Sequence, residues 1–515
     1  MPIGRGPENV GAAGMALVLL LLVLGVWHLS HSVAVFSSGD DFVYAAVAVA
    51  LVEGQPLVRH FDSPARSALY DPITSGDAAG GYASKYPIGH SLLLAPLYAA
   101  GGYRAMFLLN PLLSLLAILL VYRLTCLVVE SRAAGLLAAL LLGTLPPMTF
   151  FANGIGSGLS SLTFLLIALV FYARHIRHYS VASFWLFSFF CGVCFLIRNP
   201  NILLFLPIFL HQCILHRRRL GSQGLCLGGS LLILGAFIAV QLAFNLSVFD
   251  SLIGGYAQET GPSGGLSLSH MPHRLPRYLL MLCAIPPLGM IAMPLVAYRR
   301  RREMQGLYAA LAAVALTCVV FYSAWWSFAF DYRSAFVGGV RFVFPIVPLL
   351  CLFVATLLAE GVVVRRGGKA LVACGVLALV AASVYGTVEL HAFKRRLQSN
   401  RDLVYANTAQ GSLMIGPSDW RKFFFPQDGT GQVRSYASFD LSQPGVDMVQ
   451  ELLRLVDASL RAEEPVHFLR SEFGDAEQRD RVLQEFSSRY RLVTLKETTE
   501  PYALRIYQVL LERSP

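Results

Sequence analysis

From Val10 to Gly39 the chain runs without a single Asp, Glu, Lys or Arg. This exceeds the ~20 apolar residues that cross a bilayer. It also lacks the short apolar core and small-residue cleavage site of a cleaved signal peptide. Residues 15–36 therefore read as a permanent first span. The rest of the chain agrees: 14% of its 515 residues are charged, against about 25% in a soluble protein, and its mean hydropathy is +0.58.

Apolar runs mark about eleven spans, at 15–36, 104–122, 133–150, 158–173, 181–197, 201–215, 226–245, 277–297, 307–326, 342–363 and 370–390. A backbone inside hydrocarbon must satisfy its own polar groups, so these spans are expected to be α-helical. The net charge of +10 raises nucleic acid as a partner, but the placement of the charge argues against it. The basic clusters Arg123–Arg132, Arg174–Arg177, Arg217–Arg219, Arg299–Arg302 and Arg365–Lys369 all sit in short loops between spans. Such loops mark the cytoplasmic side, and all of them agree with a cytoplasmic N-terminus. The chain is thus expected in a bacterial inner (plasma) membrane, with membrane lipids around it. The nine cysteines lie in or beside apolar runs and imply no disulfide framework; Cys191 and Cys194 read as helix packing.

This orientation sends four segments to the outer side: the loop 37–103, the loop 246–276, the aromatic loop 325–341, and everything after about residue 391. Within the first loop, His90–Gly102 is apolar but too short to span, and reads as a helix lying in the interface. The tail changes composition. Strand-like runs such as 403–408, 412–416, 466–470, 490–495 and 504–511 alternate with helical patterns at Val449–Arg461 and Ala476–Ser488. The expected organisation is a membrane domain over 1–390 and a small outer α/β domain over 391–515.

Asp40 and Asp41 are the first candidates for chemistry. A carboxylate at the mouth of a helix bundle is costly unless paired, hydrated or functional. It suits a general base toward a hydroxyl or amine. The same residues also suit a helix cap and first turn before a helix starting at Phe42. On a helix Asp40 and Tyr44 share a face, while Asp41 points about 100° away, so the two acids are expected to differ in role. Further along, Tyr86-Pro87-Ile88-Gly89 forms a stiff turn leading into a helix at His90, with Lys85 just before it. A lysine there is placed to bind a lipid phosphate, or to snorkel. Arg198 and Arg341 fall at span ends on the outer side, against the positive-inside trend, where anion binding or an interhelix ion pair would account for them. His60, Asp62, Arg66, Asp71 and Asp77 populate the first loop. Trp325 and Trp326 fit an aromatic belt, and His270 with His273 lacks a third metal partner.

Three motifs in this order carry a resemblance. They are the acid-acid-x-x-Tyr of Asp40–Tyr44 with Glu53-Gly54 downstream, the Tyr-Pro-x-Gly element at 86–89, and Arg-aromatic-x-x-Pro-x-x-Pro at 341–348. Over about residues 15–390 the chain resembles the GT-C superfamily of polytopic glycosyltransferases, in the branch of the protein O-mannosyltransferases and aminoarabinose transferases. That resemblance implies transfer of a sugar from a polyprenyl-phosphate donor to a glycan, lipid or protein acceptor at the outer face. It implies Asp40 as general base, Asp41 as a supporting acid, and binding roles for Tyr44, Lys85, Tyr86, His90, Arg198 and Arg341. No cofactor is assigned. A divalent metal is an option in the family, but the stretch 146–161 lacks the second-loop acid that some members carry. Ile88 also stands where a second proline is usual. A transporter or flippase of lipid-linked glycans, or a non-catalytic membrane subunit, is the alternative. Transporters tend to show inverted repeats and midplane polar residues, and no such repeat is evident in the sequence.

Overall fold

The computed structural model describes residues 10–36, 38–58, 73–74, 82–215, 220–252, 254, 266–325, 340–360, 366–417, 435–438, 447–471, 476–498 and 504–511. Every expected span is built on helix. They are α1 (Val10–Ser30), α4 (Leu109–Val129), α5 (Arg132–Gly143), α6 (Pro146–Ala152), α7 (Gly158–His178), α8 (Val181–Ile197), α9 (Ile202–Leu215), α10 (Leu220–Phe249), α11 (Met271–Ala284), α12 (Gly289–Arg299), α13 (Leu307–Ala324), α14 (Val347–Ala359) and α15 (Arg366–Asn407). Between α1 and α4 lie α2 (Gly39–Glu53) and α3 (Gly89–Met106). Among the described residues, seven helices are long and apolar enough to cross a membrane, or eight if α5 and α6, bent by 63°, count as one broken span. Leu22 and Val26 on α1, Leu206 and Leu210 on α9, Leu231 and Leu232 on α10, and Val384 and Val388 on α15 are exposed. Such a surface is costly in water and natural against lipid.

Proline and glycine account for the breaks. Pro146 and Pro147 sit at the start of α6, where a missing N–H costs nothing, and they prevent α5 from running through. Gly101 and Gly102 leave the helical region and divide α3. α3 does begin at the expected turn. There Gly89 packs so closely on α8 that a Cβ would lie 2.5 Å from the Leu196 carbonyl.

The tail folds as expected in most parts. β3 (Leu413–Gly416), β4 (Ser435–Ser438), β5 (Val466–Ser471), β6 (Tyr490–Thr498) and β7 (Leu504–Leu511) form one sheet in the order β4-β3-β5-β7-β6. The β4-β3-β5 pairs are parallel and the β5-β7-β6 pairs antiparallel. A separate two-stranded pair, β1 (Ile73–Thr74) with β2 (Tyr82–Ala83), lies in the first loop. Alternate residues of the main sheet serve two cores. Leu413, Ile415, Val466, Phe468 and Val509 pack with α16 (Met448–Arg461) and α17 (Ala476–Arg489). Met414, Leu469, Leu504 and Ile506 face the other way, onto Leu397, Val404 and Tyr405 of α15 and onto Val33 and Val35 beyond α1.

One stretch departs from expectation. Residues 403–408, strand-like in composition, continue α15 as helix through Asn407, with the Thr408 hydroxyl donating to the Val404 carbonyl at 2.7 Å. The apolar residues Leu397, Val404 and Tyr405 are needed on the sheet-facing side, and helical spacing supplies that face. At 42 residues α15 is about 60 Å long, enough to pass through a bilayer and continue beneath the sheet.

The close approach at Gly89 gives a direct test. Gly89→Val is expected to lower the stability of the detergent-purified protein by roughly 1–3 kcal/mol through overpacking against backbone. Gly375→Val, where a Cβ meets nothing within 4 Å, should leave the thermal midpoint nearly unchanged.

Candidate active site

The helix carrying the two acids begins at Gly39, three residues before the expected Phe42. Ser38 adopts extended backbone, and its hydroxyl accepts the Asp41 N–H at 3.2 Å. Serine rather than aspartate is therefore the N-cap. Asp40 and Asp41 occupy the first turn of α2, where the helix dipole favours negative charge.

Helical geometry separates the acids as expected. Asp40 accepts a hydrogen bond from the Tyr86 hydroxyl at 2.7 Å and pairs with Arg341 Nη1 at 3.2 Å. Its side chain keeps 34% of its exposure. Asp41 is only 4% exposed, and it approaches Gly156, where an added Cβ would lie 3.5 Å from its Oδ1. Tyr44, one turn after Asp40, shares a hydrogen bond with Ser157 Oγ at 3.0 Å and stacks at a tilt on Tyr86, with ring centroids 4.7 Å apart. Burial pushes the Tyr44 hydroxyl up to about 12, so it stays protonated.

Arg198 and Arg341 arrive from distant parts of the chain. Arg198 ends α8 in extended backbone, and Pro200, which has no N–H to offer the Leu196 carbonyl, keeps the helix from running on. Its Nε donates to Ser157 Oγ at 3.1 Å and its Nη1 to the Arg341 carbonyl at 3.1 Å. Arg341 sits in the single turn Val340–Val343, which Pro345 tightens before α14, and its guanidinium lies 4.7 Å from the Phe342 ring centroid. Arg341 thus makes an ion pair, with Asp40, and Arg198 makes hydrogen bonds between elements; both side chains also line the cavity described below.

His90 is fully buried at the start of α3. Its Nε2–H donates to the Ile155 carbonyl and its Nδ1 accepts from Ser160 Oγ at 2.9 Å, which sets the neutral tautomer. Burial lowers its pKa to about 4. In this arrangement His90 supports the bend between α6 and α7. Asn110 Nδ2 supports it from another side, donating to the carbonyls of Phe151 at 3.1 Å and Gly156 at 3.0 Å. Lys394 Nζ donates to the Asn153 carbonyl.

Together these groups surround a cavity of about 610 Å³ lined by Asp40, Asp41, Tyr44, Ser157, Arg198, Arg341 and Lys394. Its apolar walls include Phe150 and Phe151 of α6 and Gly386, Leu390 and Phe393 of α15. Lys85 stands beside this lining rather than in it. Its Nζ lies 5.6 Å from the ring centroid of Tyr86, whose hydroxyl meets Asp40. Tyr86 and His90 likewise act from behind the cavity wall.

Lys394 and Ser157 are polar residues of the cavity lining that the sequence reading missed. Lys394 falls just past the expected end of the last span, yet Leu390, Phe393, Lys394 and Leu397 keep helical spacing along one face. That periodicity was the available signal. Ser157 lies in the stretch 146–161, which carries no acid, and a lone serine there gives no signal of its own. His60, Asp62, Arg66, Asp71, Asp77 and Trp326 lie outside the described residues. Among the described residues no three His, Cys, Asp or Glu side chains gather to hold a metal ion. Asp40 and Asp41 instead turn to different partners.

Residues 87–242 match the family model described as dolichyl-phosphate-mannose-protein mannosyltransferase. ArnT from Cupriavidus metallidurans, solved bound to undecaprenyl phosphate, superposes with a TM-score of 0.62 at 14% identity, covering 97% of this chain and 98% of that one. The oligosaccharyltransferase of Archaeoglobus fulgidus in its apo form superposes with a TM-score of 0.53 at 12% identity, covering 89% of this chain and 69% of that one. No curated protein sequence matches significantly. The resemblance to the GT-C superfamily is thus borne out, and the chain is an integral membrane protein with the GT-C fold.

The buried neutral His90 sets a pH dependence. Its folded-state pKa lies below the ordinary 6.5, so the unfolded chain binds the extra proton first. Stability should fall as pH drops from about 6.5 toward 4. The thermal midpoint is expected to be lower at pH 5 than at pH 7, and His90→Gln should flatten that difference.

Proposed function

We propose that this protein transfers a glycosyl group from a polyprenyl-phosphate sugar to a hydroxyl or amine acceptor at the outer face of a bacterial inner membrane, with Asp40 as the general base. The observation that carries this reading is the placement of Asp40. It is a partly exposed carboxylate at the edge of a cavity, oriented by Tyr86 and Arg341, in a chain with the GT-C fold. A lipid-linked donor is supported by the likeness to ArnT, which was solved with undecaprenyl phosphate. The cytoplasmic N-terminus follows from the basic loops.

In this mechanism the acceptor approaches Asp40, which takes its proton as the new bond to the anomeric carbon forms. The bond from that carbon to the phosphate oxygen breaks, and the phosphate leaves with the electron pair. Because the phosphate is already a good leaving group, the protein need only orient the partners and offset the developing charge. Of the cations lining the cavity, Arg341 and Arg198 serve that purpose, and Lys85 stands close by for the phosphate of the incoming lipid. Arg341 also pairs with Asp40, which fixes the orientation of that side chain at the cavity edge. A direct displacement inverts the anomeric configuration. Tyr44 remains a protonated hydroxyl that fixes Ser157, and Asp41 supports the site from its buried position.

Comparative mass spectrometry of envelope glycans, glycolipids and glycoproteins with and without the protein would identify the sugar and acceptor. Asp40→Asn, inserted normally, is expected to lower transfer by at least ~100-fold. Full activity in that variant would remove Asp40 as base. A second test concerns the apolar wall. Gly386 lines the cavity on α15 beside lipid-facing Tyr385 and Val388, and a Cβ there meets nothing within 4 Å. Gly386→Trp should fold normally yet reduce transfer roughly tenfold or more by crowding the lipid-linked substrate.

A further inference from the structure

Lys394 is 1% exposed and Asp41 4% exposed, and both line the same cavity. The Lys394 ammonium donates to the Asn153 carbonyl and lies within the electrostatic reach of Asp41. Its charge also stands 5.8 Å from the Phe107 ring centroid. Opposite charges this deeply buried at one cavity wall are costly unless they act on one another. Two positional constraints converge on this lysine. Below it, Ser383 Oγ donates to the Thr144 carbonyl at 2.6 Å and the Trp27 indole reaches Thr387 Oγ1 at 3.4 Å, tying α15 to the bundle. Above it, Leu397 and Val404 pack beneath the sheet of the C-terminal region.

We propose that Lys394 is a positioning residue for glycosyl transfer, holding Asp41 on one side and the α6–α7 bend on the other so that the first turn of α2 presents Asp40 in one geometry. This rests on the reading of Asp40 as base. Asp41 follows Asp40 directly in the same helical turn, so fixing one side chain's surroundings fixes the other's backbone. The bend carries Ser157, which receives both Tyr44 and Arg198. Lys394 thus touches neither reacting group and acts through both walls of the site.

The test uses full-length protein in membranes and in detergent, with four variants: Lys394→Met, Lys394→Arg, Asp41→Asn and the double variant Asp41→Asn/Lys394→Met. With the donor and acceptor found for the wild type, Lys394→Met is expected to lower kcat at least tenfold while the donor KM moves less than threefold. Lys394→Arg should restore most of kcat. In detergent the double variant should lose less thermal stability than the two single losses added, because it removes both charges of a coupled pair. It should fold and remain slow, which keeps the proposal testable if Lys394→Met alone misfolds. Wild-type kcat in Lys394→Met, or in a folded double variant, would overturn the proposal, as would strict additivity of the thermal losses. Asp40→Asn run in parallel separates the two ideas. If it is inactive while Lys394→Met is fully active, only the positioning role fails. If Asp40→Asn retains full activity, the base assignment fails, whereas the thermal cycle still decides whether Lys394 and Asp41 are coupled.

Discussion

Backbone carbonyls inside a membrane-embedded bundle have no water to turn to, and the bend between α6 and α7 places several of them beside the cavity. An unsatisfied buried carbonyl costs about 1–3 kcal/mol. Here side chains from three distant parts of the chain meet that need: Asn110 from α4, His90 from α3 and Lys394 from α15. Each contact fixes the bend relative to another helix. With the bend fixed, Ser157 is fixed, and through Ser157 so are Tyr44 and Arg198. The polar geometry of the site is therefore largely a by-product of satisfying one stretch of irregular backbone.

Within that frame the two adjacent acids of α2 acquire different surroundings from a simple helical rotation. Asp40 faces a phenol and a guanidinium and keeps part of its exposure, whereas Asp41 is buried beside Gly156 in the cavity wall that it shares with Lys394. A carboxylate that keeps access to an incoming proton donor suits base chemistry. One that is buried suits holding the architecture. The sequence spacing of Asp40, Asp41 and Tyr44 already contained this division, because it depends only on helix periodicity.

Long apolar runs were similarly legible, since a bilayer leaves the backbone few options, and so was the alternating pattern of the C-terminal strands. What the sequence concealed was long-range. Arg198 and Arg341 were legible as anion binders or interhelix partners, but the bond from the Arg198 guanidinium to the Arg341 backbone was not. The bond from the buried His90 to the Ile155 carbonyl was likewise hidden. Lys394 escaped notice because composition changes near it while the helix does not. Residues 403–408 looked strand-like because Val and Tyr favour strands, and tertiary packing of Leu397, Val404 and Tyr405 on one helical face outweighed that preference.

The unbroken course of α15 has a consequence for how such a chain can vary. One helix carries the contacts to α1 and α5, the cavity-lining Lys394 and the platform under the sheet. Inserting or deleting a single residue between Ser383 and Leu397 would turn everything beyond it by about 100° and slide it by about 1.5 Å. Either the lysine would swing away from the cavity or the sheet would lose its footing. The spacing along this helix is thus a ruler. Substitutions on its lipid-facing side leave that ruler intact, whereas a change in its length alters the site without touching any residue within it.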